Sequence, residues 1–89
     1  MRQIKKTTNF KKDFKRALKR DLSVALLAEV LELLASDSSL PDRCRPHKLV
    51  GEYTGTWECH ITPDWLLIYD YEDDVLNLRR MGSHSDLFK

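Results

Sequence analysis

Three histidines and one aspartate in the C-terminal half of the chain have the side chains needed for proton transfer near neutral pH. They are His47, His60, Asp64 and His84. Because the unperturbed pKa of histidine lies near neutrality, two histidines can serve as a general base and a general acid. A carboxylate beside a histidine fixes its tautomer and favours its charged form. Spacing alone does not show whether the four side chains meet, and an isolated histidine is more often a surface or capping residue.

If the four side chains converge, they fit the cleavage of RNA without a metal ion. In that reaction a base takes the proton of a 2′-hydroxyl, which attacks the adjacent phosphorus, and an acid protonates the leaving 5′-oxygen. A cation such as Arg79 or Arg80 would stabilise the charge that develops on the phosphate. Histidine and aspartate are also ligands for zinc or manganese. Their spacing here matches neither H-E-x-x-H nor a zinc-finger pattern, so we predict no metal and no other cofactor.

The basic residues are concentrated at the N-terminal end of the chain. Residues 1–20 hold nine of the 15 lysines and arginines but only one of the 14 acidic residues, Asp13, although the whole chain has a net charge of +1. A polyanion would therefore meet one basic end of the protein. The residues that we expect to contact RNA there are Lys11, Lys12, Lys15 and Arg16. The alternative is that these residues form an ordinary solvated helix face.

Length and composition predict one compact domain over residues 1–89. A hydrophobic content of 42% is enough for a folded core and argues against disorder. No apolar run approaches the roughly 20 residues that cross a bilayer, and the N-terminus lacks an apolar signal segment. We therefore expect a cytoplasmic protein without membrane association, in which Cys44 and Cys59 are reduced thiols.

The apolar pattern predicts the elements that must position these side chains. A short strand at residues 2–7 precedes a helix that starts from Asn9 and extends to about residue 20, and a second helix covers residues 23–35. Three strands follow at residues 57–61, 65–69 and 75–81. The short connections between these strands require antiparallel pairing. We therefore predict an α+β fold in which two N-terminal helices pack on a small antiparallel β-sheet, with a short N-terminal strand.

A set of motifs between residues 45 and 88 carries a family resemblance. The motifs are His47-x-Leu49-x-Gly51, Gly55, His60-x-x-Pro63-Asp64-Trp65-x-Leu67-Ile68-Tyr69, Leu76, Arg80-x-Gly82-x-His84 and Leu87-Phe88. They resemble those of the YafQ toxins, which belong to the RelE superfamily of bacterial toxin–antitoxin systems. The resemblance implies a RelE-like fold and a ribosome-dependent mRNA endonuclease that cuts translating message in the A site. It also implies a cognate DNA-binding antitoxin whose disordered segment wraps the toxin.

The resemblance also assigns roles to individual residues. The catalytic residues that it implies are His47, His60, Asp64 and His84. We expect His84 to be the general acid, with His47 or a His60–Asp64 pair handling the 2′-hydroxyl proton. The residues that it implies in RNA contact are Trp65, Arg80 and Phe88. The two aromatic residues could instead belong to the core, and Arg80, which shares strand parity with Leu76 and Leu78, could form a salt bridge at the sheet edge.

One position departs from the family pattern, and two other functions remain open. Many family members carry an arginine on the strand that leads to the His60 motif, where this chain has Trp57 just before Glu58. A phosphate contact on that strand is therefore missing or supplied differently. The first alternative function is a non-catalytic module that binds RNA or the ribosome through its basic N-terminal helix. The second is a metal-dependent hydrolase.

Overall fold

The computed structural model describes residues 1–88 and contains three helices and five strands in that range. The elements are β1 (Gln3–Lys6), α1 (Thr8–Lys19), α2 (Val24–Ala35), β2 (His47–Lys48), β3 (Trp57–Thr62), β4 (Trp65–Glu72), β5 (Val75–Gly82) and α3 (His84–Leu87). Two short 3-10 turns, Asp42–Cys44 and Gly51–Tyr53, flank β2. The five strands form one sheet in the order β1-β5-β4-β3-β2. The predicted α+β fold is therefore confirmed.

The sheet is mixed, and the prediction that it is antiparallel was wrong for one strand pair. Strands β2 to β5 pair antiparallel, as their short connections require. Strand β1 instead pairs parallel with β5, with Gln3 opposite Val75 and Lys6 opposite Leu78. Both long helices lie between these two strands in the chain, so the connection is long enough for the crossover that a parallel pair needs.

Helix α1 begins two residues earlier than its pattern predicted, because Thr7 and not Asn9 is its N-cap. The Thr7 hydroxyl accepts a hydrogen bond from the backbone N–H of Phe10. The same hydroxyl lies within hydrogen-bonding distance of the Leu78 and Arg79 carbonyls, at 2.9 and 3.0 Å. The start of α1 is thereby fixed against β5. Helix α2 starts as predicted, after the Ser23 cap.

The two long helices cover one face of the sheet, which we call the helix-side face. Its apolar core joins residues from α1 and α2 to side chains of the three longest strands. The buried members include Phe10, Ala17, Leu27, Val30, Leu34, Cys59, Leu67, Tyr69, Leu78 and Met81. This face therefore supplies most of the apolar burial that stabilises the fold.

The opposite face has a smaller apolar cluster and a thinner cover. Its buried members are Leu66, Ile68 and Leu87, against which Leu49 and Tyr53 pack. The cover consists of the four-residue helix α3 and the turn Gly51–Tyr53. Polar side chains therefore reach the surface on this side. Within residues 1–88, no helix combines the length and the apolar character that crossing a bilayer requires.

A β-bulge in β5 changes which face its last residues occupy. Tyr69 of β4 pairs with Leu78, but the preceding Ile68 pairs with Arg80, so Arg79 is an extra residue. Side chains opposite each other in a ladder point to the same face. Leu78 therefore lies on the helix-side face, whereas Arg80 lies with Ile68 on the opposite face.

Candidate functional site

Strand alternation and the bulge bring His47, His60 and Arg80 to the same side of the sheet. His47 lies opposite Glu58 in the β2–β3 ladder, and Glu58 lies opposite Ile68 in the β3–β4 ladder. His60 lies opposite Leu66. We call this the histidine face. The convergence that the sequence left open is therefore present for these residues.

Glu58 is a carboxylate that sequence analysis did not select, and it lies between two of the histidines. Its side chain is only 4% exposed, and its Oε1 lies 3.3 Å from His47 Nε2 and 3.9 Å from His60 Nε2. A buried carboxylate needs partners that compensate its lost hydration. Here the two imidazoles are those partners. The sequence feature that could have identified Glu58 is its position as an acidic residue in a half-apolar strand, two positions before His60.

The two ring nitrogens of His47 both face oxygen atoms. Nδ1 lies 2.9 Å from the Arg45 carbonyl oxygen, which can only accept, so this nitrogen carries a proton. Arg45 adopts a left-handed conformation with φ of 46°. Nε2 faces the Glu58 carboxylate. One further proton must therefore lie on His47 Nε2 or on Glu58 for this contact to be favourable, which ties the two groups together as an acid–base pair.

His84 joins the same site from the first residue of α3. A capping box fixes this helix: Ser83 accepts from the Asp86 N–H, and the Asp86 carboxylate accepts from the Ser83 N–H. The ring centroid of His84 lies 6.2 Å from that of His60 and 5.8 Å from that of Phe88. Phe88 in turn packs edge-on against Tyr53, with centroids 5.7 Å apart. His84 therefore lies between the histidine pair and a partly exposed aromatic surface.

Arg80 provides the cation of the histidine face. Its Nε and Nη2 donate to Asp13 of α1 at 2.7 and 3.2 Å. The hydrogen bond to Asp13 is the main reason that the pKa of Arg80 is raised, and Tyr53 contributes in the same direction. The predicted alternative, a salt bridge at the sheet edge, is therefore present. The Arg80 side chain is 26% exposed, so it is not closed off from solvent.

Asp64 and Trp65 are not brought into this cluster. Asp64 is exposed in the turn between β3 and β4, and in the part of the chain that the structure describes no hydrogen bond or ion pair joins it to His60. The expected His60–Asp64 pair is not formed, and Glu58 is the carboxylate nearest His60. Trp65 packs against the core of the helix-side face. This placement favours the core alternative for Trp65, and its contact with RNA stays a prediction.

The basic residues of α1 divide into two groups. Arg16 donates to Asp13 at 2.6 Å and lies 3.8 Å from Asp86, so carboxylates of the protein already occupy its guanidinium. Lys11, Lys12 and Lys15 are exposed, and within residues 1–88 none of them forms an ion pair. Lys11 and Lys15 flank a groove of about 470 Å³ between α1 and α2. Of the four basic residues of α1 predicted to contact RNA, the three lysines are therefore unpaired in the described part of the chain, and Arg16 is paired with carboxylates of the protein.

The two thiols lie away from the histidine face. Cys44 and Cys59 are both free and buried in the core of the helix-side face. Burial raises the pKa of Cys59 to about 12. A thiol with so high a pKa is a poor nucleophile at neutral pH. In the described residues, no group of three or more histidine, cysteine, aspartate or glutamate side chains is arranged to hold a metal ion.

Sequence and structure comparisons give the same result over almost the whole chain. The family described as "Bacterial toxin of type II toxin-antitoxin system, YafQ" matches residues 2–89. The mRNA interferase toxin YafQ of Escherichia coli strain K12 is 35% identical over 88 residues, which cover 98% of this chain and 96% of that protein.

Two solved structures extend the similarity to the fold. A copper-bound mutant toxin from Helicobacter pylori is 38% identical, with a TM-score of 0.94 over 99% of this chain and 100% of that one. The YafQ chain of the E. coli DinJ–YafQ complex is 34% identical, with a TM-score of 0.90 over 100% of both chains. With the family match across residues 2–89, these similarities confirm the resemblance: the chain belongs to the YafQ family of bacterial type II toxin–antitoxin toxins.

Proposed function

We propose that this toxin is a ribosome-dependent mRNA endonuclease that cuts translating message in the A site by acid–base chemistry, without a metal cofactor. The observation that carries the proposal is the meeting of His47, Glu58, His60 and His84 on one face of the sheet, the face on which Arg80 also lies. The imidazoles and the Glu58 carboxylate can take and give protons, and the Arg80 guanidinium is a cation. Cleavage through a 2′-hydroxyl requires both kinds of group. The E. coli relative's name, mRNA interferase toxin, supports the same activity.

In the proposed reaction the general base is His47 or His60, and the general acid is His84. One histidine of the pair joined by Glu58 takes the proton of the 2′-hydroxyl, whose oxygen then bonds to phosphorus. The bond from phosphorus to the 5′-oxygen breaks, and His84 gives its proton to that oxygen. The products are a 2′,3′-cyclic phosphate and a free 5′-hydroxyl. Because Glu58 Oε1 lies 3.3 Å from His47 Nε2 and 3.9 Å from His60 Nε2, we assign the base to the pair of histidines and not to one of them.

Arg80 and Phe88 hold the substrate in this scheme. The Arg80 guanidinium stabilises the charge on the phosphate oxygens as the pentavalent transition state forms. The Phe88 side chain is 38% exposed and lies against His84, so a base can stack on it next to the scissile bond. Asp64 remains a candidate through its motif position. Because Asp64 is exposed and does not contact His60, we assign its role to contact with the RNA or the ribosome.

The partners follow from the charge distribution and from the relatives. Lys11, Lys12 and Lys15 present unpaired positive charge on α1, which favours contact with ribosomal RNA phosphates. The E. coli relative forms a complex with DinJ, so we also expect a cognate antitoxin that neutralises this chain.

The decisive experiment compares His84→Ala with Ser85→Ala in a translation reaction that contains ribosomes and a defined mRNA. We expect His84→Ala to lose cleavage by at least about 100-fold, because general acid catalysis contributes that much. Ser85→Ala changes the next exposed residue of the same helix and should cleave like the wild type. Circular dichroism and thermal unfolding should show that both variants are folded.

The alternatives give different outcomes in the same assay. A His84→Ala variant that still cleaves would contradict the catalytic assignment. If replacing Lys11, Lys12 and Lys15 by glutamine abolishes all activity while His84→Ala has no effect, the protein is a non-catalytic module that binds the ribosome. Cleavage that is lost in excess chelator and restored by a divalent ion would identify a metal-dependent hydrolase. Cleavage of the same mRNA without ribosomes would contradict ribosome dependence.

A further inference from the structure

Asp13 is a buried carboxylate in an otherwise basic helix. It is 2% exposed, although α1 has no other acidic residue and most of its charged side chains are exposed. Four donors surround it: Arg80 through Nε and Nη2, Arg16 through Nη2 at 2.6 Å, and the Met81 backbone N–H at 3.0 Å. Such complete pairing is what the burial of a charge requires.

The position of Asp13 follows from the length of β1. Strand β1 pairs with β5 only as far as Leu78, so the edge of β5 beyond that residue has no neighbouring strand. Asp13 from α1 takes that place, because its Oδ2 accepts the Met81 N–H that a longer β1 would have bonded. The same oxygen accepts from Arg80 Nε. The Asp13 carboxylate therefore joins the end of β5 to α1 and fixes the guanidinium of Arg80, the residue after the bulge.

We propose that Asp13 is a positioning residue for RNA cleavage, which holds Arg80 in the orientation that presents its guanidinium to the phosphate on the histidine face. This inference rests on the function proposed above. Asp13 engages the Nε–Nη2 edge of Arg80, so the Nη1 edge is directed away from α1. A guanidinium held on one edge has fewer orientations to lose when a phosphate binds to the other.

The same helix also braces the element that carries His84. Arg16, which donates to Asp13, also lies 3.8 Å from Asp86 Oδ1. Arg20, the cap residue at the end of α1, donates to Asp86 Oδ2 at 2.9 Å. Asp86 is the carboxylate of the capping box at the start of α3. Arg16 and the cap residue Arg20 are partly exposed, but their guanidinium groups connect the supports of Arg80 and His84. Arg16 was also predicted to contact RNA, and that contact stays a prediction.

A double-mutant cycle in the ribosome assay tests the proposal. The chains are the wild type, Asp13→Asn, Arg80→Ala and the double variant, and the measurements are the cleavage rate constant and the half-saturating ribosome concentration. We expect Asp13→Asn to lower the rate constant roughly 10- to 100-fold with little change in half-saturation, as misplacement of a reacting group does. In the Arg80→Ala background the same substitution should change the rate by less than about 2-fold, because the two residues act through one interaction.

Asp70→Asn is the matched control. Asp70 accepts from Nε and Nη2 of Arg79, the residue before Arg80, in the same bidentate manner. We expect this variant to keep the wild-type rate. If Asp13→Asn lowers the rate by the same factor with and without Arg80, Asp13 acts through general stability and the proposal is overturned.

Two further measurements separate folding from positioning. Asp13→Glu keeps the charge and should recover part of the rate lost in Asp13→Asn, whereas an equal loss in both variants contradicts the proposal. The Arg80 Nε–H signal in ¹H–¹⁵N spectra should be protected from exchange in the wild type and lose that protection in Asp13→Asn. This signal needs no RNA. A wild-type chain that does not cleave would therefore contradict the proposed function, while the spectrum still decides whether Asp13 holds Arg80.

Discussion

The two faces of the sheet differ in what covers them and in what their side chains can do. On the helix-side face two 12-residue helices bury a continuous apolar core. On the histidine face the fully buried apolar residues are few, and a four-residue helix is the main cover. Because alternate residues of a strand point to opposite faces, the same strands supply both surfaces.

This difference shows how a chain of 89 residues can hold a reactive site without losing its core. A small domain has little apolar surface to spare, so burial is concentrated on one side. The other side carries three imidazoles, a buried carboxylate that lies between two of them, and a guanidinium that Asp13 holds. Substitutions on the helix-side face should therefore affect stability first, and those on the histidine face should affect cleavage first.

The largest expected effect is a difference in stability between substitutions on the two faces. Leu66 and Leu67 are adjacent in β4 and both fully buried, but they face opposite sides of the sheet. We expect Leu67→Ala to lower the free energy of unfolding by roughly 2–5 kcal/mol, because the cavity lies under two long helices. Leu66→Ala should cost less, since the thin cover around α3 can relax into the space. Urea unfolding of both variants measures the difference, and equal losses would contradict the comparison.

The next effect concerns cleavage with little change in stability. Glu58→Gln keeps the size of the side chain but removes the charge between His47 and His60. We expect the cleavage rate to fall about 100-fold, because the histidine pair loses the group that holds its proton. The exposed Glu72, at the end of β4, provides the control variant Glu72→Gln. Wild-type cleavage by Glu58→Gln would remove Glu58 from the site.

A smaller effect should follow from the close packing of α3 on β5. A Cβ at Gly82 would lie 2.9 Å from Asp86 Cβ, a distance at which the helix must shift. Gly82→Ala should therefore displace His84 and lower the cleavage rate about 10-fold, while the helix-side core stays intact. Amide spectra should show changes confined to α3 and the end of β5. Changes that spread across α1 and α2 would instead indicate a general loss of packing.

The smallest effect depends on pH. The Ser83 backbone N–H, together with Arg20, holds the pKa of Asp86 below its usual value. A carboxyl with a lowered pKa stabilises the fold above its unfolded-state pKa of about 4, and this contribution is lost as the pH falls further. Asp86→Asn should therefore cost about 1 kcal/mol at pH 7 and much less at pH 2. Urea unfolding of both chains at each pH tests this, and a difference that does not shrink in acid would exclude the carboxylate.

Strand β1, the two long helices and the three long strands could be predicted from the sequence because each has its own signal, whereas β2 and α3 are only two and four residues long and show none. Alternating apolar residues predicted β3, the continuous apolar run at residues 65–69 predicted β4, and the helical period predicted α1 and α2. The motifs of the YafQ resemblance selected three histidines that the fold brings together on one face, and their catalytic roles stay predictions. The sequence did not show the parallel pairing of β1, since the choice of a partner strand depends on contacts far along the chain. Nor did it show the orientation of Arg80, because a single extra residue at Arg79 reverses strand parity.

Glu58, the carboxylate that lies between two of the histidines, was not selected from the sequence for a related reason. Asp64 stands near His60 in the chain and belongs to the motif, whereas Glu58 reads as an ordinary outward residue of an alternating strand. Whether such a residue lies in solvent or beneath a neighbouring side chain depends on what the adjacent strand supplies. Here β2 places His47 directly opposite Glu58. That pairing is not encoded in the local pattern of β3.

The parallel pairing of β1 with β5 has a consequence for the order in which the molecule can be made. The first strand finds its partner only when residues 75–78 have been synthesised, and Arg80 and His84 come later still. A nascent chain that lacks this segment has neither a closed sheet nor an assembled histidine face. The long separation between the paired strands also slows folding, because distant segments must meet before their contacts stabilise them. The histidine face that we propose for cleavage therefore assembles only after residue 84 has been synthesised.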